Sequence, residues 1–243
     1  MEIRDYFISN KGTVYPNIRE IAYNSNNLFG NLGTLVNETN REVMDYFRVS
    51  SLNYDDSGVF IYQSNYDVNK ALRLYKCFMD YRFNGDHDDE LIFKLKSLQS
   101  KVKYTDFPTG VVTKNGFIIG QEIVYYQDYL TLYEIKNYLY VNELIDVYRK
   151  CLIILSELKN IGIDYIDVHA RNFLVNECLD VKLIDFEYDL VKFNDERAYK
   201  KTILYFYNMV NLINKRIGID YEYEMPSSLN NAFKKLELMK KKI

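Results

Sequence analysis

Asp167, Asn172 and Asp185 are the side chains of this 243-residue chain whose types and spacing could do chemistry together. They fall in Tyr165-Ile166-Asp167-Val168-His169-Ala170-Arg171-Asn172-Phe173-Leu174-Val175 and, a little further on, Val181-Lys182-Leu183-Ile184-Asp185-Phe186-Glu187. Residues 173–175 and 182–184 are apolar segments that read as short strands, each flanked by an acid or amide that does not belong in a core. A small hairpin built on them delivers three oxygen-bearing groups to one end. Such ligands suit Mg²⁺, which binds through one or two carboxylates plus substrate phosphates and keeps several waters. Phosphoryl transfer asks little more of a protein than a metal site, positioning and a residue that orients the nucleophile.

The elements that must position these groups change character along the chain. Residues 47–52, 59–63, 71–78, 110–113 and 117–124 are apolar or aromatic, β-branched in places, and separated by turn-rich stretches, so they read as strands. Asn115-Gly116 between the last two is a hairpin signal. Residues 88–98 open on acids and carry Leu91, Leu95 and Leu98 at helical spacing. Later, Leu144, Tyr148, Cys151, Leu152, Leu155 and Leu158 recur at helical intervals up to Gly162. Tyr199, Ile203, Phe206, Val210, Ile213 and Ile217 repeat the pattern between Asn194-Asp195 and Gly218, and a third helix is expected after Ser227-Ser228. The expectation is an α+β chain, antiparallel sheet first and helices second, with a hinge near Gln127-Asp128. That gives 46–126 as one lobe and 127–243 as another; residues 1–45 fit neither pattern.

At this point the sequence resembles the protein-kinase-like superfamily. The pattern H-R-D-x-x-x-x-N followed by D-F-G is met as Tyr165-Ile166-Asp167 with Asn172, then Asp185-Phe186-Glu187. The resemblance implies a bilobal kinase fold with ATP and Mg²⁺ as cofactors. Asp167 would orient the acceptor hydroxyl, while Asn172 and Asp185 would hold the metal. Leu72-Arg73-Leu74-Tyr75-Lys76 takes the place of the V-A-I-K strand, so Lys76 would meet the α- and β-phosphates. Glu90 is then its ion-pair partner, a role that Asp88 or Asp89 could take instead. Gly58 is the one glycine kept where the glycine-rich loop should lie, and Gln121, Glu122 and Ile123 fall where hinge backbone holds adenine.

The departures are as specific as the matches. Tyr165 and Ile166 replace the His and Arg of H-R-D, so activity should not depend on a phosphorylated activation loop. Asp185-Phe186-Glu187-Tyr188 is similar to choline and ethanolamine kinases. Ala170-Arg171-Asn172 is similar to tyrosine kinases, in which the arginine supports the γ-phosphate. His169 could approach that phosphate or stand as a solvated loop residue. Only 58 residues follow Asp185 (243 − 185), and no A-P-E occurs among them, which implies a minimal helical lobe. The leading expectation is a kinase acting on a protein hydroxyl. A small-molecule acceptor, as for choline or aminoglycoside kinases, is the alternative, and a pseudokinase that binds partners without transferring phosphate is another.

Composition narrows the remaining classes. With 48% apolar and 27% charged residues and a net charge of −3, the chain is neither disordered nor equipped with a basic footprint for nucleic acid. Its 24 Tyr and 14 Phe, with no Trp, name no function. Cys77, Cys151 and Cys178 form no C-x-x-C pair, and His87 and His169 lie far apart, so neither disulfides nor a zinc site is expected. With no apolar signal segment and no membrane span, a cytoplasmic setting is expected.

Overall fold

The computed structural model describes residues 35–37, 42–44, 46–48, 59–64, 69–75, 88–114 and 117–242. The chain forms two compact units. One holds Leu98–Asp106 and the described residues from Asp128 onward; the other holds the described residues before Leu98 together with Phe107–Gln127.

The second of these is a sheet unit. Its strands are β1 (Leu35–Asn37), β2 (Glu42–Met44), β3 (Tyr46–Arg48), β4 (Val59–Ser64), β5 (Lys70–Tyr75), β6 (Gly110–Lys114) and β7 (Phe117–Val124). They lie in the order β2-β1-β6-β7-β5-β4-β3, every pairing antiparallel. Helix α1 (Asp88–Leu98) starts on the expected acids and buries Leu91, Ile92 and Leu95 on one stripe. Strands β1 and β2 fall in the segment whose sequence gave no clear pattern. The turn at Asn115-Gly116 lies outside the described residues.

In the other unit, β8 (Tyr129–Thr131) leads into a single-turn helix, α2 (Leu132–Ile135). Long helices α3 (Val141–Asn160), α4 (Glu196–Arg216) and α5 (Leu229–Lys242) follow the expected periodicity, and their inward stripes supply the core. Helix α3 packs against α5 and against short strands β9 (Ile163–Tyr165) and β11 (Val181–Leu183). Strand β10 (Phe173–Asn176) joins β11 and β8 in one small antiparallel sheet, while β12 (Val191–Phe193) pairs with β9. Residues 98–106 belong here although the sequence pattern places them with the first lobe. The Glu157 carboxylate on α3 accepts the backbone N–H groups of Lys103 and Tyr104, each at 3.2 Å. The overall class is α+β, and no helix of the described residues is long and apolar enough to cross a membrane.

Two helix ends carry testable chemistry. After α3, Gly162 adopts φ +82°, and a Cβ there would lie 2.8 Å from Asn194 Oδ1. The Asn194 N–H is itself bonded to the Gly162 carbonyl at 2.9 Å, so the neighbour has little room to give. Gly162→Ala should therefore destabilise the fold by more than about 1 kcal/mol, read as a lower denaturant midpoint. At the start of α4, the Asp195 carboxylate accepts from the Arg197 and Ala198 N–H groups at 2.8 and 3.0 Å. The bonds from Ala198 and then Arg197 hold its carboxyl below the usual range. A depressed folded-state pKa gives stabilisation that is complete above the unfolded value and is lost as pH falls through the folded one. Asp195→Ala should thus lower Tm by a constant amount near neutral pH. The gap from wild type should close as the pH drops below about 3.9, the ordinary carboxylate value.

Candidate active site

The β10–β11 hairpin sets the first two groups. Phe173, Val175, Val181 and Leu183 point inward and are buried, with Phe173 opposite Leu183 and Val175 opposite Val181. Asn172 precedes β10 and Asp185 follows Ile184 at the end of β11, so both leave from the same end of the hairpin. That end is tied by the Ile184 N–H, which donates to the Asn172 carbonyl at 3.0 Å. Asp167 comes from the loop after β9. Its base is anchored where Ile166 N–H donates to the Leu190 carbonyl at 2.9 Å and Thr202 Oγ1 on α4 donates to the Tyr165 carbonyl at 2.8 Å.

A single polar network joins Asp167 to Asn172 and reaches the backbone immediately before Asp185. Asn172, 5% exposed, directs its Nδ2 at the Tyr165 hydroxyl (2.8 Å), the Asp167 carbonyl (3.0 Å) and Asp167 Oδ2 (2.8 Å). With Nδ2 so engaged, Oδ1 is the atom that Asn172 can offer to a cation. The Tyr165 hydroxyl in turn donates a hydrogen bond to the Ile184 carbonyl at 3.1 Å, immediately before Asp185. His169 closes the ring: its Nδ1 accepts the Arg171 N–H at 3.2 Å, which leaves the proton on Nε2 to bond Asp167 Oδ2 at 3.1 Å. Asp167 is therefore held from two sides, and His169 acts on that carboxylate.

Asp185 sits at φ +73°. A left-handed backbone costs an ordinary residue about 1–2 kcal/mol, less for Asp, and persists where flanking structure fixes it. Here both flanks are fixed. Ile184 is bonded through its N–H and its carbonyl, and Phe186, 2% exposed, packs its ring on Tyr165 with centroids 5.4 Å apart.

The remaining expected residues have separate placements. Arg171 is exposed, with its guanidinium 5.1 Å from the centre of the Tyr133 ring. Glu90 lies exposed in the first turn of α1, and Glu122 and Ile123 lie in β7, opposite Leu72 and Ala71 of β5. Glu122 is 1% exposed; its carbonyl accepts the Thr109 N–H at 2.8 Å and its carboxylate the Thr109 hydroxyl at 2.6 Å. Lys76 and Gly58 lie outside the described residues. Sequence reasoning treated Tyr165 only as a missing histidine and did not foresee its hydroxyl linking Asn172 to the strand that carries Asp185. The available signal was an aromatic with a polar tip at the end of an apolar segment, a side chain that needs a hydrogen-bond partner when buried.

The donor set fits a hard divalent cation: a neutral amide oxygen on Asn172 and a carboxylate on Asp185. Among the described residues, no group of three or more His, Cys, Asp or Glu could hold a metal by itself. A cation here would be completed by water and by oxygens of a bound substrate, as Mg²⁺ is. Compared with protein-family models and with curated proteins, the chain matches none.

Proposed function

We propose that this protein is an ATP- and Mg²⁺-dependent phosphotransferase of kinase-like, two-lobed architecture, with a protein hydroxyl as its acceptor. The observation that carries the reading is the network in which Tyr165 links Asn172, Asp167 and the backbone before Asp185. It supplies an amide and a carboxylate for the metal and a separately oriented carboxylate for the nucleophile. Bound Mg²⁺ would neutralise charge on the nucleotide phosphates, and Asn172 and Asp185 are the residues that would hold it.

The chain's own part in the reaction is then orientation and one proton. The acceptor hydroxyl oxygen bonds to the γ-phosphorus as the bond from that phosphorus to the β,γ-bridging oxygen breaks. ADP leaves, and the hydroxyl proton passes to Asp167. His169 and Asn172 keep the receiving carboxylate in one orientation. Lys76 is assigned to the α- and β-phosphates and Glu90 to Lys76, on the resemblance alone. Free Cys151 and Cys178 suit a reducing, cytoplasmic setting.

Nucleotide binding tests the reading before any acceptor is known. A ligand bound only by the folded chain raises Tm, by about 2.7 kcal/mol of stabilisation at a hundredfold excess over Kd. Millimolar ATP with Mg²⁺ should raise Tm, and ATP with a chelator should raise it less. No shift under either condition favours a binding module without transfer. Phosphate transfer to choline, ethanolamine or an aminoglycoside would reassign the acceptor to a small molecule.

A further inference from the structure

Three cations converge on Tyr133, beside the loop that carries Asp167. Lys136 Nζ lies 3.9 Å from the centre of the Tyr133 ring, the Arg171 guanidinium 5.1 Å and the Arg216 guanidinium 5.4 Å. They arrive from separate parts of the unit: the residue that caps α2, the loop between β9 and β10, and the last turn of α4. The backbone fixes the assembly. The Tyr133 N–H donates to the Ala170 carbonyl at 3.1 Å, next to Arg171, and Lys136 Nζ donates to the Tyr133 carbonyl.

What this cluster lacks is negative charge. Among the described residues, none of the three cations forms an ion pair with a carboxylate. The acid that acts on Lys136 is Glu134, and its carboxylate already accepts the Thr131 N–H and hydroxyl at 2.8 and 2.7 Å. Lys136 is 7% exposed, and burial pushes its ammonium below the usual range despite the opposing charge interaction with the Tyr133 phenol. Arg216 and Lys136 pull the Tyr133 phenol down as well. A buried ammonium and two guanidinium forks set around one tyrosine ring are an arrangement that an oxyanion completes, because each fork can meet two oxygens at once.

We propose that Lys136, Arg171 and Arg216, arranged around Tyr133, bind an oxyanion of the acceptor, a phosphate or carboxylate, so that the acceptors are acidic peptides. The assignment to the acceptor rests on the phosphotransferase reading; the anion site itself does not. Arg171 and Asn172 are successive, yet Asn172 turns to Asp167 and Tyr165 while Arg171 turns to Tyr133. The two residues thereby serve different groups, the metal-bound phosphates on one hand and a second anion on the other.

The test uses the full chain and inorganic phosphate, with chloride holding the ionic strength constant and no nucleotide or Mg²⁺ present. The Nε–H resonances of Arg171 and Arg216 should shift saturably, in wild type and in Asp185→Asn alike. Exposed Arg216 is replaced rather than buried Lys136, so that the fold survives; Arg216→Met should weaken phosphate binding at least about tenfold, and Arg216→Lys should recover part of it. A wild type with no saturable shift, or Arg216→Met with unchanged affinity, overturns the site. If Mg·ATP produces the same shifts and Asp185→Asn abolishes them, the anion is the nucleotide's and the acceptor assignment falls. In transfer assays, Arg216→Met should reduce the preference for an acidic over a neutral peptide at least about tenfold, the loss of one charge-assisted contact. An unchanged preference overturns the assignment. Absence of transfer to every peptide defeats the phosphotransferase reading and leaves the phosphate titration to decide the anion site.

Discussion

Asp185→Asn leaves the protein folded and lowers Mg²⁺-dependent phosphate transfer from ATP by about 10²–10³-fold, the usual cost of removing one preorganised electrostatic contact. The substitution keeps the size of the side chain and its ability to accept hydrogen bonds. Asn also tolerates the left-handed backbone found at this position, φ +73°. What it removes is the negative charge that, with the Asn172 amide oxygen, would hold the metal. A fall in transfer with an unchanged Tm therefore isolates the metal-holding role. Equal transfer by the variant and the wild type would remove Asp185 from the mechanism and take the metal assignment with it.

Replacing Tyr165 separates packing from orientation. Its ring is 1% exposed and packs on Phe186; its hydroxyl bridges Asn172 Nδ2 and the Ile184 carbonyl. Tyr165→Ala should cost about 3–5 kcal/mol, in the range of a large aromatic removed from a core. Tyr165→Phe keeps the ring and leaves the Ile184 carbonyl without its donor, which should cost about 1–3 kcal/mol. The second effect of Tyr165→Phe is on function. With one anchor gone, Asn172 is still held by Asp167 and by the backbone bond from Ile184, but its side chain loses its link to the Asp185 strand. The Mg²⁺ concentration for half-maximal transfer should rise by about 10–100-fold, the scale of other positioning contacts around metals. A Phe variant that loses stability but keeps its Mg²⁺ dependence would confine Tyr165 to packing.

Much of the fold is written in short-range pattern. The ends of α4 follow from Asp195, whose carboxylate caps the first turn, and from Gly218 at φ +76°, just past the last turn. The β10–β11 hairpin follows from alternation of buried and half-buried residues. Strands β8, β9 and β12 were not legible, because three-residue strands exist only through partners distant in sequence, such as Tyr165 opposite Val191 and Leu130 opposite Val175. Helix α2 is too short for any period and depends on Thr131, which exchanges hydrogen bonds with Glu134.

The site divides along the same line. Asp167, Asn172 and Asp185 stand out as polar groups beside apolar strands, so residue type and spacing reveal them. Tyr165 hides among buried aromatics until its hydroxyl partners are known. The cluster of Tyr133, Lys136, Arg171 and Arg216 has no local signature, since the neighbours Tyr133 and Lys136 meet Arg171 and Arg216 only in three dimensions.

The central claim is that Asn172 and Asp185 hold a divalent cation together with a nucleotide. Mn²⁺ in place of Mg²⁺ reports this directly, because it broadens NMR signals of nearby protons. With ATP and Mn²⁺, the side-chain amide resonances of Asn172 should broaden beyond detection, and they should return in Asp185→Asn. An Asn172 amide that stays sharp with ATP and Mn²⁺, or that broadens equally without Asp185, would contradict the account.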